Sequence, residues 1–154
     1  MKTIVIAGAH SGTGKTTLAL KLQELIPDSA YVKIGHGRPH PGKPGLFYPF
    51  GTPFTVIQQD LAGTQTIIIE SNSILNELRP ECVIYLDGND PKPSARYARA
   101  QAEIIRGEPI KEKRVMELAR KLSLPRETLD AVIRAAGSTV LQEIPLSTRR
   151  ETGI

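Results

Sequence analysis

The amino-acid sequence predicts an α/β fold in which a mainly parallel sheet is flanked by helices. Short apolar runs rich in β-branched residues alternate along the chain with stretches of helical periodicity, and parallel strands need such helical crossovers. The first run, within residues 2–7, is continuously apolar from Ile4, as expected for a strand buried on both faces of a sheet. The 154 residues suit one domain with a small appendage.

Four strands and two helices are predicted ahead of residue 108. The first helix is predicted from Thr17 onward, because apolar residues recur there at helical spacing, and Pro27 ends it. Ser94 can cap a second helix that runs to Arg106. The segment 54–62 is compatible with a short helix or with an extended piece. The strands are placed at residues 2–7, 30–34, 66–70 and 83–86.

We divide the chain into a main domain at residues 1–108, a helical hairpin at 109–137 and a last segment at 138–154. Two amphipathic stripes separated by the turn at 123–125 indicate the hairpin. A helix-turn-helix has the same outline, but the outward residues are mixed in sign and offer no basic face to a phosphate backbone. The last segment is predicted to hold an edge strand at 139–141 or to be a disordered tail.

The most informative motif is Ala-His-Ser-Gly-Thr-Gly-Lys-Thr at residues 9–16. It stands between the first strand and the first helix, which is the order found in a phosphate-binding P-loop. Gly12 and Gly14 allow the backbone to turn its N–H groups inward, and the positive helix end completes a cradle for a di- or triphosphate. Ala9 stands where the strict pattern has its first glycine, and Gly8 precedes it. The motif narrows the fold class to that of the P-loop nucleoside triphosphatases.

The motif also assigns roles to individual side chains. Lys15 can reach the β- and γ-phosphates, and the Thr16 hydroxyl can hold one Mg²⁺ position. We predict Mg²⁺ and either GTP or ATP as cofactors, since the sequence lacks the Asn-Lys-x-Asp and Thr-Lys-x-Asp motifs for guanine. It also lacks the second lysine that deviant-loop ATPases use in trans. The predicted nucleotide-binding residues are Ala9, His10, Ser11, Gly12, Thr13, Gly14, Lys15, Thr16 and Thr17.

Glu70 is the second informative position, because it ends a strand of four apolar or β-branched residues. Ligands of such sheets bind beyond the carboxyl ends of the strands, so Glu70 and the P-loop are expected to meet. A carboxylate there can hold Mg²⁺ directly or through water, or orient an attacking water. We predict Lys15 and Glu70 as catalytic residues, and Thr16 and Glu70 as metal ligands. Asp87 and Asp60 are further candidates.

Residues 35–53 are rich in glycine, proline and aromatic residues, and we predict a lid or substrate loop near the phosphates. The alternative is a surface excursion with no role in the site. Cationic and imidazole side chains there could neutralise charge that develops on transferred oxygens. The two histidines are alternatively metal ligands, although a metal site needs a further ligand. The predicted substrate-loop residues are Lys33, His36, Arg38, His40 and Lys43.

Composition limits the class of protein. The net charge is only +4, so nucleic acid is not expected as a partner. The single cysteine, Cys82, lies in an apolar run, which favours a buried side chain in a reducing compartment. No apolar run has the length of a signal-peptide core or a membrane span. We therefore expect a cytoplasmic protein without a membrane partner.

These residues together resemble the molybdopterin-guanine dinucleotide biosynthesis protein B family, small P-loop GTP-binding proteins in a class of metallocofactor accessory GTPases. The likeness lies in the strand and P-loop at residues 4–17, a Val-Lys, His-Gly and Pro-Gly-Lys series at 32–43, and an apolar strand ending in glutamate at 67–70. Ile34-Gly35 replaces the family's first histidine, and Ser71 replaces a glycine. The resemblance implies nucleotide binding with Mg²⁺, slow hydrolysis, a homodimer and a partner enzyme in molybdenum cofactor maturation.

Three functions remain open. The first and preferred one is a metallocofactor-accessory nucleoside triphosphatase that acts through a partner enzyme. The second is a small-molecule kinase in which residues 35–53 hold the acceptor, although kinase lids usually carry several arginines and this loop has only Arg38. The third is a nucleotide-gated module whose helical tail docks on protein or DNA, for which a basic recognition helix is lacking.

Overall fold

The computed structural model describes residues 1–38 and 42–142. The strands are β1 (Lys2–Gly8), β2 (Ser29–Gly35), β3 (Leu46–Pro49), β4 (Thr66–Glu70), β5 (Cys82–Leu86), β6 (Ile104–Ile105), β7 (Ile110–Lys111) and β8 (Val140–Leu141). The α-helices are α1 (Lys15–Leu25), α2 (Phe54–Asp60), α3 (Pro93–Gln101), α4 (Glu112–Leu122) and α5 (Arg126–Ala135), and a 3₁₀ helix (Ser73–Asn76) follows β4. Within this described part of the chain, no helix is both long and apolar enough to cross a membrane.

The central sheet has six strands in the order β3-β2-β4-β1-β5-β6, and every neighbouring pair is parallel. This confirms the predicted α/β fold class, with the P-loop between β1 and α1. Ile6 of β1 and Lys33 of β2 both lie opposite Glu70 of β4. The carboxyl ends of these three strands therefore meet at one edge of the sheet, where ligands of such folds bind.

Apolar side chains form a core on each face of the sheet. Helices α1, α4 and α5 pack on one face, where Leu22, Leu118 and Val132 are buried. Helices α2 and α3 cover the other face, where Ile57 and Ala98 are buried. Apolar burial is the main favourable term in folding, so α4 and α5 share the core that holds α1 and its preceding loop against the sheet.

The predicted helix from Ser94 to Arg106 is wrong at both ends. The helix begins one residue earlier, at Pro93, with Lys92 in the N-cap position. Proline is common in the first helical turn. The backbone N–H groups there have no partner within the helix, so a residue without an N–H loses no hydrogen bond. The helix ends at Gln101, and Ile104–Ile105 instead add an edge strand to β5.

The segment 35–53 is not a loop throughout, because β3 lies within it and pairs in parallel with β2. Pro49 is tolerated there since an edge strand leaves one side of its backbone without a partner strand. The ambiguous segment 54–62 contains the helix α2. The strand predicted at 139–141 corresponds to β8, which pairs with β7 outside the main sheet. Residues 39–41 and 143–154, including part of the predicted tail, lie outside the described residues.

Candidate functional site

The loop between β1 and α1 has the backbone of a phosphate cradle. Gly12 and Gly14 adopt φ values of +81° and +95°, a region that costs glycine little and other residues more. Gly14 is also the N-cap residue of α1 and has no side chain to occupy the helix end. Ala9 is not among the described residues with positive φ, which explains why alanine is accepted where the strict pattern has glycine. The free N–H groups of the first helical turn remain available to an anion.

Lys15 lies at the first position of α1 and folds back over the loop. Its Nζ donates a hydrogen bond to the His10 carbonyl oxygen over 2.9 Å. Burial lowers the pKa of Lys15 below its ordinary value, and the Glu70 carboxylate opposes that shift. Triphosphate oxygens would be stronger partners for this ammonium than a neutral carbonyl, because charge-assisted hydrogen bonds are the stronger kind.

Thr16, Glu70 and Lys33 meet at the base of the loop. The Thr16 Oγ1 donates to Glu70 Oε1 over 2.8 Å, and Lys33 Nζ lies 3.3 Å from Glu70 Oε2. Only 4% of the Glu70 side chain is exposed, so Lys33 and Thr16 compensate a carboxylate that burial would otherwise destabilise. The two adjacent oxygens of Thr16 and Glu70 are the hard ligands that Mg²⁺ prefers, and their donor set fits a cation held jointly with a phosphate.

Tyr31 is a buried neighbour of Thr16 and Glu70 that the sequence did not reveal. It lies in β2, two positions before Lys33, and its hydroxyl faces Thr16 and Glu70. Among the residues that the structure describes, this buried oxygen has no hydrogen-bond partner. Burial raises the pKa of Tyr31 to about 12. The alternation of side chains along a strand, which places Tyr31 on the same face as Lys33, is the sequence signal that could have found it.

Asn72 holds the start of the P-loop. Its Oδ1 accepts a hydrogen bond from the Gly8 N–H, and its Nδ2 donates to the Gly8 carbonyl, both over 3.0 Å. A Cβ on Gly8 would lie 2.6 Å from Thr13 Oγ1, so any larger residue at this position would displace P-loop side chains, although the strict motif begins one residue later. The Asn72 role depends on tertiary placement, and no local pattern points to it.

Arg106 connects the P-loop to the C-terminal helices. Its guanidinium donates to the Thr13 carbonyl oxygen over 2.6 Å. Its side chain also lies against Gly137, where a Cβ would come within 3.0 Å of Arg106 Cγ. The neighbouring Gly107 N–H donates to the Gly137 carbonyl over 2.9 Å. The sequence placed Arg106 at the end of a helix, and so its position beside the loop was missed.

Lys15, Thr16, Lys33, Glu70 and Asn72 border a cleft of about 840 Å³, which Tyr31 and Arg106 do not line. Of the predicted nucleotide-binding residues, all but Ala9 and Thr13 line it. The rings of His36 and Phe50 stack on its far side with centroids 4.9 Å apart and an interplanar angle of 24°. The volume is within the range of small-molecule and cofactor sites. Lining residues for which the sequence indicated no role in the site include Asn72, Ser73, Asn76, Lys92 and Ser94.

The predicted substrate-loop residues divide between two cavities. Lys33 and His36 line the cleft and also a second cavity, of about 420 Å³, which Arg38 and Lys43 line as well. His40 lies outside the described residues. In residues 1–38 and 42–142, no group of three His, Cys, Asp or Glu side chains is placed to hold a metal ion.

The remaining candidate residues are not brought to the cleft. Asp60 accepts a hydrogen bond from the Tyr48 hydroxyl over 2.8 Å. Asp87 caps the Gly88 N–H at 3.0 Å, and neither aspartate is among the residues that line the cleft. Cys82 is buried, and burial raises the pKa of its thiol well above the ordinary value. None of these three side chains therefore lies at the P-loop cleft.

Comparison with known proteins gives little beyond these observations. No protein-family model matches the chain, and no curated protein matches its sequence. A solved structure that it resembles is the hydrogenase maturation factor HypB from Archaeoglobus fulgidus. The two share 15% sequence identity, with 96% of this chain and 81% of that chain covered and a TM-score of 0.39.

Proposed function

We propose that the protein binds a nucleoside triphosphate, GTP or ATP, together with Mg²⁺ and hydrolyses it slowly. The observation that carries this proposal is the contact between Thr16 at the start of α1 and Glu70 at the end of β4. It joins an oxygen pair suited to Mg²⁺ to a loop suited to phosphates, at the edge of the sheet where ligands bind.

Each group of the site has its own role in binding the nucleotide. The N–H groups of the loop and the end of α1 hold the phosphates. Lys15 exchanges its hydrogen bond with the His10 carbonyl for bonds to phosphate oxygens. Thr16 and Glu70 would hold Mg²⁺, which neutralises charge on the phosphates when it is bound. Glu70 can alternatively keep a water in place through its carboxylate, with Lys33 holding the second carboxylate oxygen.

Slow turnover is expected from the charges around the cleft. Its described lining contains the cations Lys15, Lys33 and Lys92, and no arginine. In fast phosphoryl transfer an arginine, supplied in cis or by a partner, commonly stabilises the charge of the transition state. Arg106 is already engaged with the Thr13 carbonyl. A partner that supplies this charge would accelerate triphosphate hydrolysis by the protein, as expected of an accessory enzyme.

The finer part of the proposal is a role in molybdenum or other metallocofactor maturation, as a homodimer that acts through a partner enzyme. This part depends on the resemblance of the P-loop, the segment around Lys33 and His36, and the strand that ends in Glu70. The cleft supports it only in that Lys33, His36 and Glu70 lie at one site.

A small-molecule kinase is the second candidate, and one observation favours it. The second cavity shares Lys33, Gly35 and His36 with the nucleotide cleft. An acceptor bound there would lie beside the terminal phosphate, in the position that transfer requires. Assays of phosphate release and of phosphoryl transfer to an added acceptor separate the two functions.

The primary test is calorimetric titration with ATP, GTP and their diphosphates, with and without Mg²⁺. We expect one triphosphate to bind tightly with Mg²⁺, and Lys15→Ala to abolish that binding. Lys21→Ala is the matched control, because Lys21 lies on the same helix and pairs with Glu24 at the surface. Unchanged affinity in Lys15→Ala would refute the proposed site. A preference for GTP favours the accessory role, and a preference for ATP favours the kinase.

A further inference from the structure

The second cavity has the lining of a binding site for a small anion. We call it the β2–β3 cavity, and it measures about 420 Å³. Its described lining contains cations and apolar groups but no carboxylate: Lys33, Gly35, His36, Arg38, Lys43, Pro44, Gly45, Leu46 and Phe47. Lys33 is paired with Glu70 outside this lining, whereas Arg38 and Lys43 are like charges that repel each other, so the lining favours a negatively charged ligand.

Two of its cations are free to bind such a ligand. Counting only described residues, neither Arg38 nor Lys43 lies within ion-pair distance of a carboxylate. Arg38 offers the planar fork of donors that matches a phosphate or carboxylate, and Lys43 adds a point charge. Pro44 and Phe47 give the same cavity an apolar surface. A ligand that matches this lining has an anionic group and an apolar body.

The cavity and the nucleotide cleft share a wall. Lys33, Gly35 and His36 line both spaces. Lys33 also pairs with Glu70 at 3.3 Å, so one ammonium faces the proposed metal ligand and the anion. Since a single side chain serves both sites, binding at one is expected to change affinity at the other, and by linkage the effect is reciprocal.

We propose that the β2–β3 cavity binds a small organic anion, bearing a phosphate or a carboxylate on an apolar body, as the second ligand of the protein. This inference rests on the proposed function, because the cavity adjoins the terminal phosphate only if a nucleotide binds in the cleft. The volume is half that of the cleft, which suits a molecule smaller than a nucleotide. Arg38 and Lys43 bind the anionic group, and Phe47 contacts the apolar body.

The test uses phenyl phosphate and benzoate as probes, with benzyl alcohol as their neutral counterpart. Each is titrated calorimetrically into the full-length protein, alone and with Mg²⁺ and a non-hydrolysable triphosphate analogue. We expect one or both anions to bind in the millimolar range or tighter, and benzyl alcohol to bind at least about tenfold more weakly, a difference of about 1.4 kcal/mol. The stronger of the two anions identifies the head group.

The variant for this test combines Arg38→Ala with Lys43→Ala. We expect it to lower the affinity for the anion at least about tenfold. Arg96→Ala combined with Lys21→Ala is the matched control, since both are exposed and neither lines the cavity. Thermal unfolding of both variants shows whether they fold. Failure of both anions to bind, equal binding of benzyl alcohol, or equal loss in the control would overturn the inference. Triphosphate binding by the native protein is measured separately, so failure of the proposed function can be distinguished from failure of this inference.

Discussion

Thr16 Oγ1 and Glu70 Oε1 lie 2.8 Å apart, although 54 positions separate them in the chain. The contact arises because β1 pairs with β4 in a register that sets Ile6 opposite Glu70, and the P-loop returns α1 over that edge. Lys33 then approaches the second oxygen of the same carboxylate from β2. Three adjacent strands thus converge on one pair of oxygens, which makes Glu70 the residue through which Mg²⁺ dependence can be tested.

Glu70→Gln is expected to preserve triphosphate binding without Mg²⁺ and to weaken it about tenfold or more when Mg²⁺ is present. The amide keeps the shape and can still accept from Thr16, but it removes the charge that a divalent cation requires. Calorimetric titration with and without Mg²⁺ measures the difference, and we also expect slower phosphate release. Glu77→Gln is the control, because Glu77 is exposed and does not line the cleft. An undiminished Mg²⁺ effect in Glu70→Gln would make Glu70 a bystander.

Tyr31→Phe is expected to raise the free energy of unfolding of the ligand-free protein by about 1 kcal/mol, because it removes a buried hydroxyl without a partner. It should also weaken Mg²⁺–triphosphate binding several-fold, since the hydroxyl faces Thr16 and Glu70. With a pKa raised to about 12, the hydroxyl is protonated at neutral pH and can donate a hydrogen bond once a bound ligand brings an acceptor within reach.

Denaturant unfolding and calorimetry measure the two effects of Tyr31→Phe. Tyr97→Phe is the matched control, since Tyr97 is 53% exposed whereas Tyr31 is buried. A loss of stability in Tyr31→Phe would show that the hydroxyl has a hydrogen-bond partner, and unchanged affinity would remove it from the site.

The sequence was sufficient to predict the placement of those residues of the candidate site that have a local signature. The P-loop could be predicted because its glycines, Lys15 and Thr16 are adjacent, and Glu70 could be predicted because a strand end has a known place in a parallel sheet. Asn72 and Arg106 could not, since each acts on the loop through a single tertiary contact with Gly8 or Thr13. Local patterns do not encode such contacts.

The fold shows the same division between local and tertiary signals. The buried strands β1, β4 and β5 were predicted from their continuous apolar runs. β3 was missed because Pro49 and its glycine-rich surroundings have the composition of a loop, and only pairing with β2 at the sheet edge makes it a strand.

Gly8→Ala is expected to weaken triphosphate binding about tenfold or more and to lower the free energy of unfolding by about 1–3 kcal/mol, as overpacking does. The new Cβ would lie 2.6 Å from Thr13 Oγ1 and 3.2 Å from Lys15 Cδ. Thr13 is itself buried, so its side chain and that of Lys15 have to shift within a packed loop. Calorimetry and denaturant unfolding measure both effects.

Ala9→Gly is the informative comparison, because it restores the strict motif. We expect it to leave triphosphate affinity nearly unchanged, since the backbone of Ala9 does not require glycine. It should cost about 1 kcal/mol of stability through the loss of a buried methyl group. A gain in affinity from Ala9→Gly, or tolerance of Gly8→Ala, would contradict this account of the loop.

Arg106→Met is expected to weaken triphosphate binding about tenfold while the protein remains folded. The long apolar side chain keeps the packing against Gly137 but loses the hydrogen bond to the Thr13 carbonyl, so the loop is less well ordered before the phosphates bind. Binding must then supply the ordering that Arg106 provides, and this cost appears as lost affinity. Arg96→Met, on the exposed face of α3, is the control. If Arg106→Met binds triphosphate as tightly as the native protein, Arg106 connects the C-terminal helices to the sheet without any influence on the P-loop.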